Sequence, residues 1–238
     1  MKKERIWELD ALRGIAILCV IAVHFCFDLV YFAELDLQFP AWALFVQQYG
    51  GVVFVVLSGL CATLGSKSFR RGLVVFAAGM LITLVTYVMY RLGMGGNDLV
   101  VRFGVLHLLG VCMMLYPLFR KLPVSSLLTM GVVFVVCGYL IRDVRVESPY
   151  LFPFGFIRAD FESGDYFPLL PHFGWFLLGA VLGKTLYARK KTKLPGKAKD
   201  FFLLRFFCWC GRQSLWIFLL HQPVVYGLLE LILALRNH

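Results

Sequence analysis

Two stretches near the start of the chain, Ala11–Tyr31 and Trp42–Leu64, are apolar for twenty residues or more with almost no charge. A run of that length matches the roughly 20 residues a helix needs to cross the hydrocarbon core. Inside lipid every backbone N–H and C=O must be bonded within the protein, so only helices and closed barrels can span it. The runs are continuous and do not alternate, which selects helices over barrel strands. Composition agrees: 60% of residues are hydrophobic and 16% are charged, against about 45–50% and about 25% in soluble domains. The reading is an all-α, polytopic transmembrane helical bundle forming a single domain over residues 1–238.

Seven spans are expected: Ala11–Tyr31, Trp42–Leu64, Gly72–Tyr90, Phe103–Phe119, Pro123–Ile141, Phe167–Tyr187 and Gln213–Leu235. Lys and Arg alternate in density from loop to loop. The segments through Arg13, around Lys67–Arg71, at Arg120-Lys121 and across Lys184–Arg212 hold 18 of the 24. By the positive-inside rule these face the cytoplasm, and so does the N-terminus. The net charge of +10 is then topology, and no nucleic-acid partner is expected. The basic loop at 188–200 reads as a solvated segment against anionic lipid, and Phe201–Cys210 as an interfacial prelude to the last span. The basic start precedes a helix too long for a signal peptide, so the first span is expected to stay. Most of the seven cysteines lie in apolar runs, where free Cys behaves as a small hydrophobe. For Cys208-Trp209-Cys210 a core or interface role outweighs metal binding or palmitoylation.

Ionisable groups inside such runs are costly and mark function by default. His24 lies about 20 Å above the cytoplasmic end of the first span at helical rise. His107 and His172 enter from the other side, each about 6–8 Å below the outer end, at nearly the same depth. Gln48 falls at that level too, whereas His221 sits deeper. These residues suggest a polar chamber in the outer half of the membrane. Each histidine alone also fits a satisfied interhelical hydrogen bond. Asp28, four residues after His24, shares its helix face; it either orients the imidazole or pairs at the surface with a cation such as Arg102. Asp10 and Arg13, at the cytoplasmic mouth, form either an interfacial ion pair or an anion site, since a guanidinium suits phosphate bidentately. No pair of ligands has metal spacing within one span, and no metal is expected.

The segment LDALRGIAILCVIAVHF (Leu9–Phe25) resembles the first helix of the integral-membrane acyltransferase superfamily. Its acyltransferase-three branch carries an Arg, ten residues, then a His, the spacing of Arg13 and His24. Gly51–Gly59 (GVVFVVLSG) resembles the second-helix signature, and Ser214–His221 (SLWIFLLH) the closing helix. With FGVLHLL at Phe103–Leu109, the chain resembles a bacterial member of the heparan-alpha-glucosaminide N-acetyltransferase catalytic-domain family. Two departures stand. Acyltransferase-three proteins have about ten spans. The lysosomal enzymes place their catalytic His in the loop after the first helix, and Ala33–Pro40 has none. By the Arg-x10-His match that role falls on His24.

The resemblance implies N- or O-acetyl transfer from acyl-CoA, as co-substrate, to a cell-envelope glycan or lipid-linked sugar, in a bacterial inner membrane. Asp10 and Arg13 would hold the donor, His24 and Asp28 would carry the chemistry, and Gln48, His107, His172 and His221 would line the acceptor chamber. A homodimer is compatible with it. The competing class is a proton-coupled transporter or channel using the same histidines, which has no need of a donor site at Asp10 and Arg13. A non-catalytic scaffold is the third class and predicts that His24→Ala leaves function intact.

Overall fold

The computed structural model describes residues 5–31, 41–195 and 201–236. Among them the chain is all-α: α1 (Trp7–Tyr31), α2 (Ala41–Leu64), α3 (Ser68–Arg91), α4 (Val105–Phe119), α5 (Val124–Leu140), α6 (Leu169–Leu186), α7 (Phe202–Arg212) and α8 (Ser214–Arg236). Two short 3₁₀ turns, Asn97–Leu99 and Phe152–Phe154, lie in the connections before α4 and α6. The protein is an all-helical integral membrane protein. The helices form two compact units, one from residues 1–54 and 190–238 and one from residues 55–189.

In the first unit α1 packs along α7 and α8. Acidic Glu8 and Asp10 occupy the first turn of α1, where the helix dipole favours negative charge. Glycine sets the α1–α7 approach. A Cβ on Gly14 would collide with the Phe207 carbonyl, and one on Gly211 with the Asp10 carbonyl. Small residues let helix backbones come this close, which is how membrane helices gain packing without a hydrophobic drive between them. Helix α7 has 11 residues, about 16 Å at helical rise and too short to span. It buries Cys208, Cys210 and Gly211 and exposes Phe202, Trp209 and Arg212. The Cys208 thiol donates to the Trp7 carbonyl at 3.3 Å, fastening α7 to the start of α1.

In the second unit α3 lies against α4 and α5 against α6. Gly72 and Gly110 mark the first crossing, with a Cβ on Gly110 meeting the Phe76 backbone. Gly131 and Gly174 mark the second. One end of this unit is tied by Lys184, whose Nζ donates to the Leu122 carbonyl at 2.7 Å. At the other end Phe167 N–H donates to the Phe103 carbonyl at 2.9 Å and Gly164 N–H to the Val100 carbonyl at 3.2 Å. Asp165 caps α4, its Oδ2 accepting the Val105 N–H at 2.9 Å.

The expected spans all become helices, but not all of spanning length. Within α1 the stretch Trp7–Cys26, together with α3 and α6, is long and apolar enough to cross a membrane. Helices α4 and α5 have 15 and 17 residues, about 22–26 Å at helical rise, below the ~30 Å core. Helix α4 starts at Val105 and not at Phe103 because Phe103 pairs with Tyr166 in an isolated bridge. More than half of α4 is buried within protein, so it need not match the lipid thickness alone.

Candidate active site

Helices α1 and α8 bring two imidazoles together. The ring centroids of His24 and His221 are 5.1 Å apart, with the planes tilted by 57°. The packing of α1 against both α7 and α8 underlies the meeting. Gly14 and Gly211 abut, a Cβ on either falling about 3 Å from the other's backbone nitrogen. His24 lies ten residues beyond Gly14 on the same helix, a rise of about 15 Å, whereas Gly211 belongs to α7 and His221 to α8, the two helices parting at Gln213. Counted from the start of its own helix, His221 looks deeper than His24. In the structure the two rings nevertheless meet.

His221 Nδ1 is 2.5 Å from the Phe218 carbonyl. A carbonyl only accepts, so Nδ1 carries the proton and Nε2 presents a lone pair. That Nε2 is buried and has no hydrogen-bond partner among the described residues. Beside His221 runs an apolar groove of about 500 Å³, bounded by Ile21, Trp209, Trp216 and Leu220. An imidazole with a fixed tautomer and an unpartnered, buried Nε2 can accept a proton handed to it by a neighbouring ring.

The other expected chamber residues have different surroundings. His107 is 2% exposed. Its Nδ1 accepts the Gly104 N–H at 3.2 Å, closing the first turn of α4. Its Nε2 lies 3.2 Å from Thr83 Oγ1, and that hydroxyl donates to the Val101 carbonyl at 2.6 Å. Nε2 must therefore carry the ring proton and donate to Thr83, which commits both nitrogens within the second unit. His172 donates from Nδ1 to the Pro168 carbonyl at 2.7 Å. The side chains of Asp28 and Gln48 lie outside the described residues.

At the start of α1, Asp10 is approached by Arg13 at 3.9 Å and by Arg5 at 3.8 Å. Arg212 adds a third positive charge acting on the same carboxylate. Three guanidiniums around one carboxylate leave a net positive mouth. Neighbouring Glu8 is buried and accepts the Thr192 hydroxyl at 2.7 Å and the Lys193 N–H at 2.8 Å. Arg212 and the Glu8 contacts escape the sequence reading, because residues some 200 positions apart meet only once α7 and the basic loop dock on α1. Among the described residues no three His, Cys, Asp or Glu side chains are grouped to hold a metal ion.

The family model for heparan-alpha-glucosaminide N-acetyltransferase, catalytic, matches residues 5–223. The chain belongs to this family. Comparison with curated proteins and with solved structures returns no match. Family membership makes the protein a membrane acetyltransferase in kind, and the matched segment contains Arg13, His24 and His221.

Proposed function

We propose that the protein transfers an acetyl group from cytoplasmic acetyl-CoA to a saccharide of the cell envelope, with His24 and His221 as the reacting pair. The observation that carries this reading is the closeness of the two rings, with His221 Nε2 unpartnered among the described residues. The net positive cluster of Arg5, Arg13 and Arg212 is the phosphate-binding mouth. From Arg13 to His24 the helix rises about 16 Å, a span that suits the extended pantetheine arm. The groove beside His221 takes the apolar part of that arm.

In this reading His24 removes the proton of an acceptor hydroxyl or amine. The acceptor atom attacks the thioester carbonyl. As its bond to carbon forms, the carbon–sulfur bond breaks. The proton passes from His24 to Nε2 of His221 and then to the departing sulfur. In a variant route a His24 nitrogen attacks the thioester carbonyl as the carbon–sulfur bond breaks and the thiol of CoA leaves, and the acceptor then attacks the acetyl-imidazole and releases the free ring. Asp28 keeps its proposed part of orienting His24; His107 serves the fold of α4. The protein sits in a bacterial inner membrane with its basic loops in the cytoplasm.

The test is transfer from radiolabelled acetyl-CoA by the purified chain in nanodiscs. Wild type transfers label to a saccharide acceptor or hydrolyses the thioester slowly without one. Wild type inert toward every acyl-CoA overturns the reading.

A further inference from the structure

The connection between α5 and α6 is long, and loops of more than about 12–15 residues inside a compact fold usually serve a function. This one is ordered by contacts to the connection before α4. Arg102 N–H donates to Ser163 Oγ at 3.0 Å, and Arg102 Nε to the Glu162 carbonyl at 2.9 Å. Arg102 Nη2 donates to Asn97 Oδ1 at 2.7 Å, and Asn97 Nδ2 to Glu162 Oε2 at 3.0 Å. The Tyr166 hydroxyl donates to the Phe152 carbonyl at 2.6 Å. Between the two connections lies a pocket of about 220 Å³, lined by Asn97, Arg102, Phe152, Phe156, Phe161 and Glu162. Arg158 and Asp160 stand at its side.

We propose that this pocket is a saccharide-binding site that takes a single neutral pyranose. Its volume is below the roughly 300–1,000 Å³ of drug-sized sites and suits one sugar ring. A pyranose has apolar C–H faces and a girdle of hydroxyls. Phe152 and Phe161 are stacked 5.6 Å apart, and with Phe156 they offer apolar walls for the ring face. The Asn97–Arg102–Glu162 network uses Arg102 Nε and Nη2 and Glu162 Oε2. That leaves Arg102 Nη1 as a donor and Glu162 Oε1 as an acceptor toward neighbouring hydroxyls.

The charges argue against other ligands. Arg102 and Arg158 balance Asp160 and Glu162, so an anion gains no net attraction. Arg158 is held by Asp160 through two bonds of 2.8 and 3.0 Å, which removes it as a phosphate clamp and Asp160 as a cation ligand. An apolar ligand would strip water from these groups and return no hydrogen bonds. The pocket lies wholly in the second unit's own connections, while His24 and His221 belong to the first. Its use as an acceptor-recognition site rests on the acetyltransfer reading; its existence does not.

The experiment uses the full chain in nanodiscs and saturation-transfer NMR with methyl β-glucoside, N-acetylglucosamine and glucose 6-phosphate. Transfer to the ring protons of the two neutral sugars is expected, with no preference for the phosphate. Ser148→Trp, which fills the pocket from its wall, should abolish the signal, and Phe156→Ala should weaken binding about tenfold. Melting curves establish that each variant is folded, and Phe156→Ala serves if Ser148→Trp is not. No signal from either neutral sugar, or signals unchanged in the folded variants, overturns the site. Acetyl-CoA turnover is measured on the same sample. Turnover without sugar binding overturns the pocket alone, and sugar binding without turnover overturns the enzyme alone.

Discussion

The imidazole centroids of His24 on α1 and His221 on α8 lie 5.1 Å apart, with the rings tilted by 57°. If the pair acts as one proton-transfer unit, removing either ring should cost nearly as much as removing both, because residues that act together are strongly non-additive. His24→Ala and His221→Ala should each lower kcat by about 10²–10⁴, and the double variant little further. Steady-state transfer of labelled acetyl groups checks this. Independent, multiplying losses would separate the two residues.

The glycine contact between α1 and α7 is testable. A Cβ at Gly211 would press on the Asp10 carbonyl and one at Gly14 on the Phe207 carbonyl. Overpacking of this kind costs about 1–3 kcal/mol. Gly211→Val should lower the melting temperature and cut activity more than the stability loss explains, since it shifts His221 against His24. A methyl group at Gly227 would meet no described atom within 4 Å; Gly227→Ala is the control and should change neither quantity.

Much of this fold is legible in the sequence, because lipid leaves few choices. The runs Trp42–Leu64 and Gly72–Tyr90 become α2 and α3 to within a few residues, since a long apolar run has one way to bond its backbone. Arg13 and His24 stand out as polar groups in an apolar helix. The partnership with His221 does not. Depth counted along α8 alone misses that α8 packs against α1 and brings His221 beside His24. His107 misleads for the opposite reason: a histidine three residues into a helix can close the turn it belongs to, as it does with Gly104 N–H. Residue type and depth do not distinguish that duty from substrate contact.

The positive mouth should respond to salt. Phosphate attraction by partly exposed Arg5, Arg13 and Arg212 is screened over about 8–10 Å at physiological ionic strength. The KM for acetyl-CoA should rise with added salt while kcat holds. Arg212→Ala should raise that KM several-fold and flatten its salt dependence. Titrations of initial rate against acetyl-CoA at two salt concentrations measure both.

Asp165 predicts a pH effect on stability. Burial raises its carboxyl pKa to about 6, against the opposing pull of the Val105 N–H. A carboxyl raised in the folded state disfavours the ionised native form. Its contribution to stability is therefore fullest below the unfolded value near 4 and is lost as pH rises through about 6. A shift of this size corresponds to about 3 kcal/mol at 1.36 kcal/mol per unit. Asp165→Asn keeps an oxygen for the Val105 N–H and removes the charge. The variant should melt higher than wild type at pH 7.5, and the two should converge only as pH falls below 3.8. A constant gap across that range would place the effect elsewhere.

Glu8 predicts a protected loop. Its buried carboxylate accepts both the Thr192 hydroxyl and the Lys193 N–H, so the basic segment after α6 is pinned to the first turn of α1. A charged acceptor lost from such a site leaves a donor unsatisfied at about 1–3 kcal/mol. Backbone held by hydrogen bonds cannot enter a protease cleft until it opens, and cleavage then follows the opening equilibrium. Glu8→Ala should therefore speed tryptic cleavage at Lys191 and Lys193 by about tenfold or more. Thr192→Val removes one of the two contacts and should fall between the variant and wild type. Mass spectrometry of the fragments separates these sites from the other lysines of the loop. Equal cleavage rates in all three proteins would mean that Glu8 does not restrain the segment.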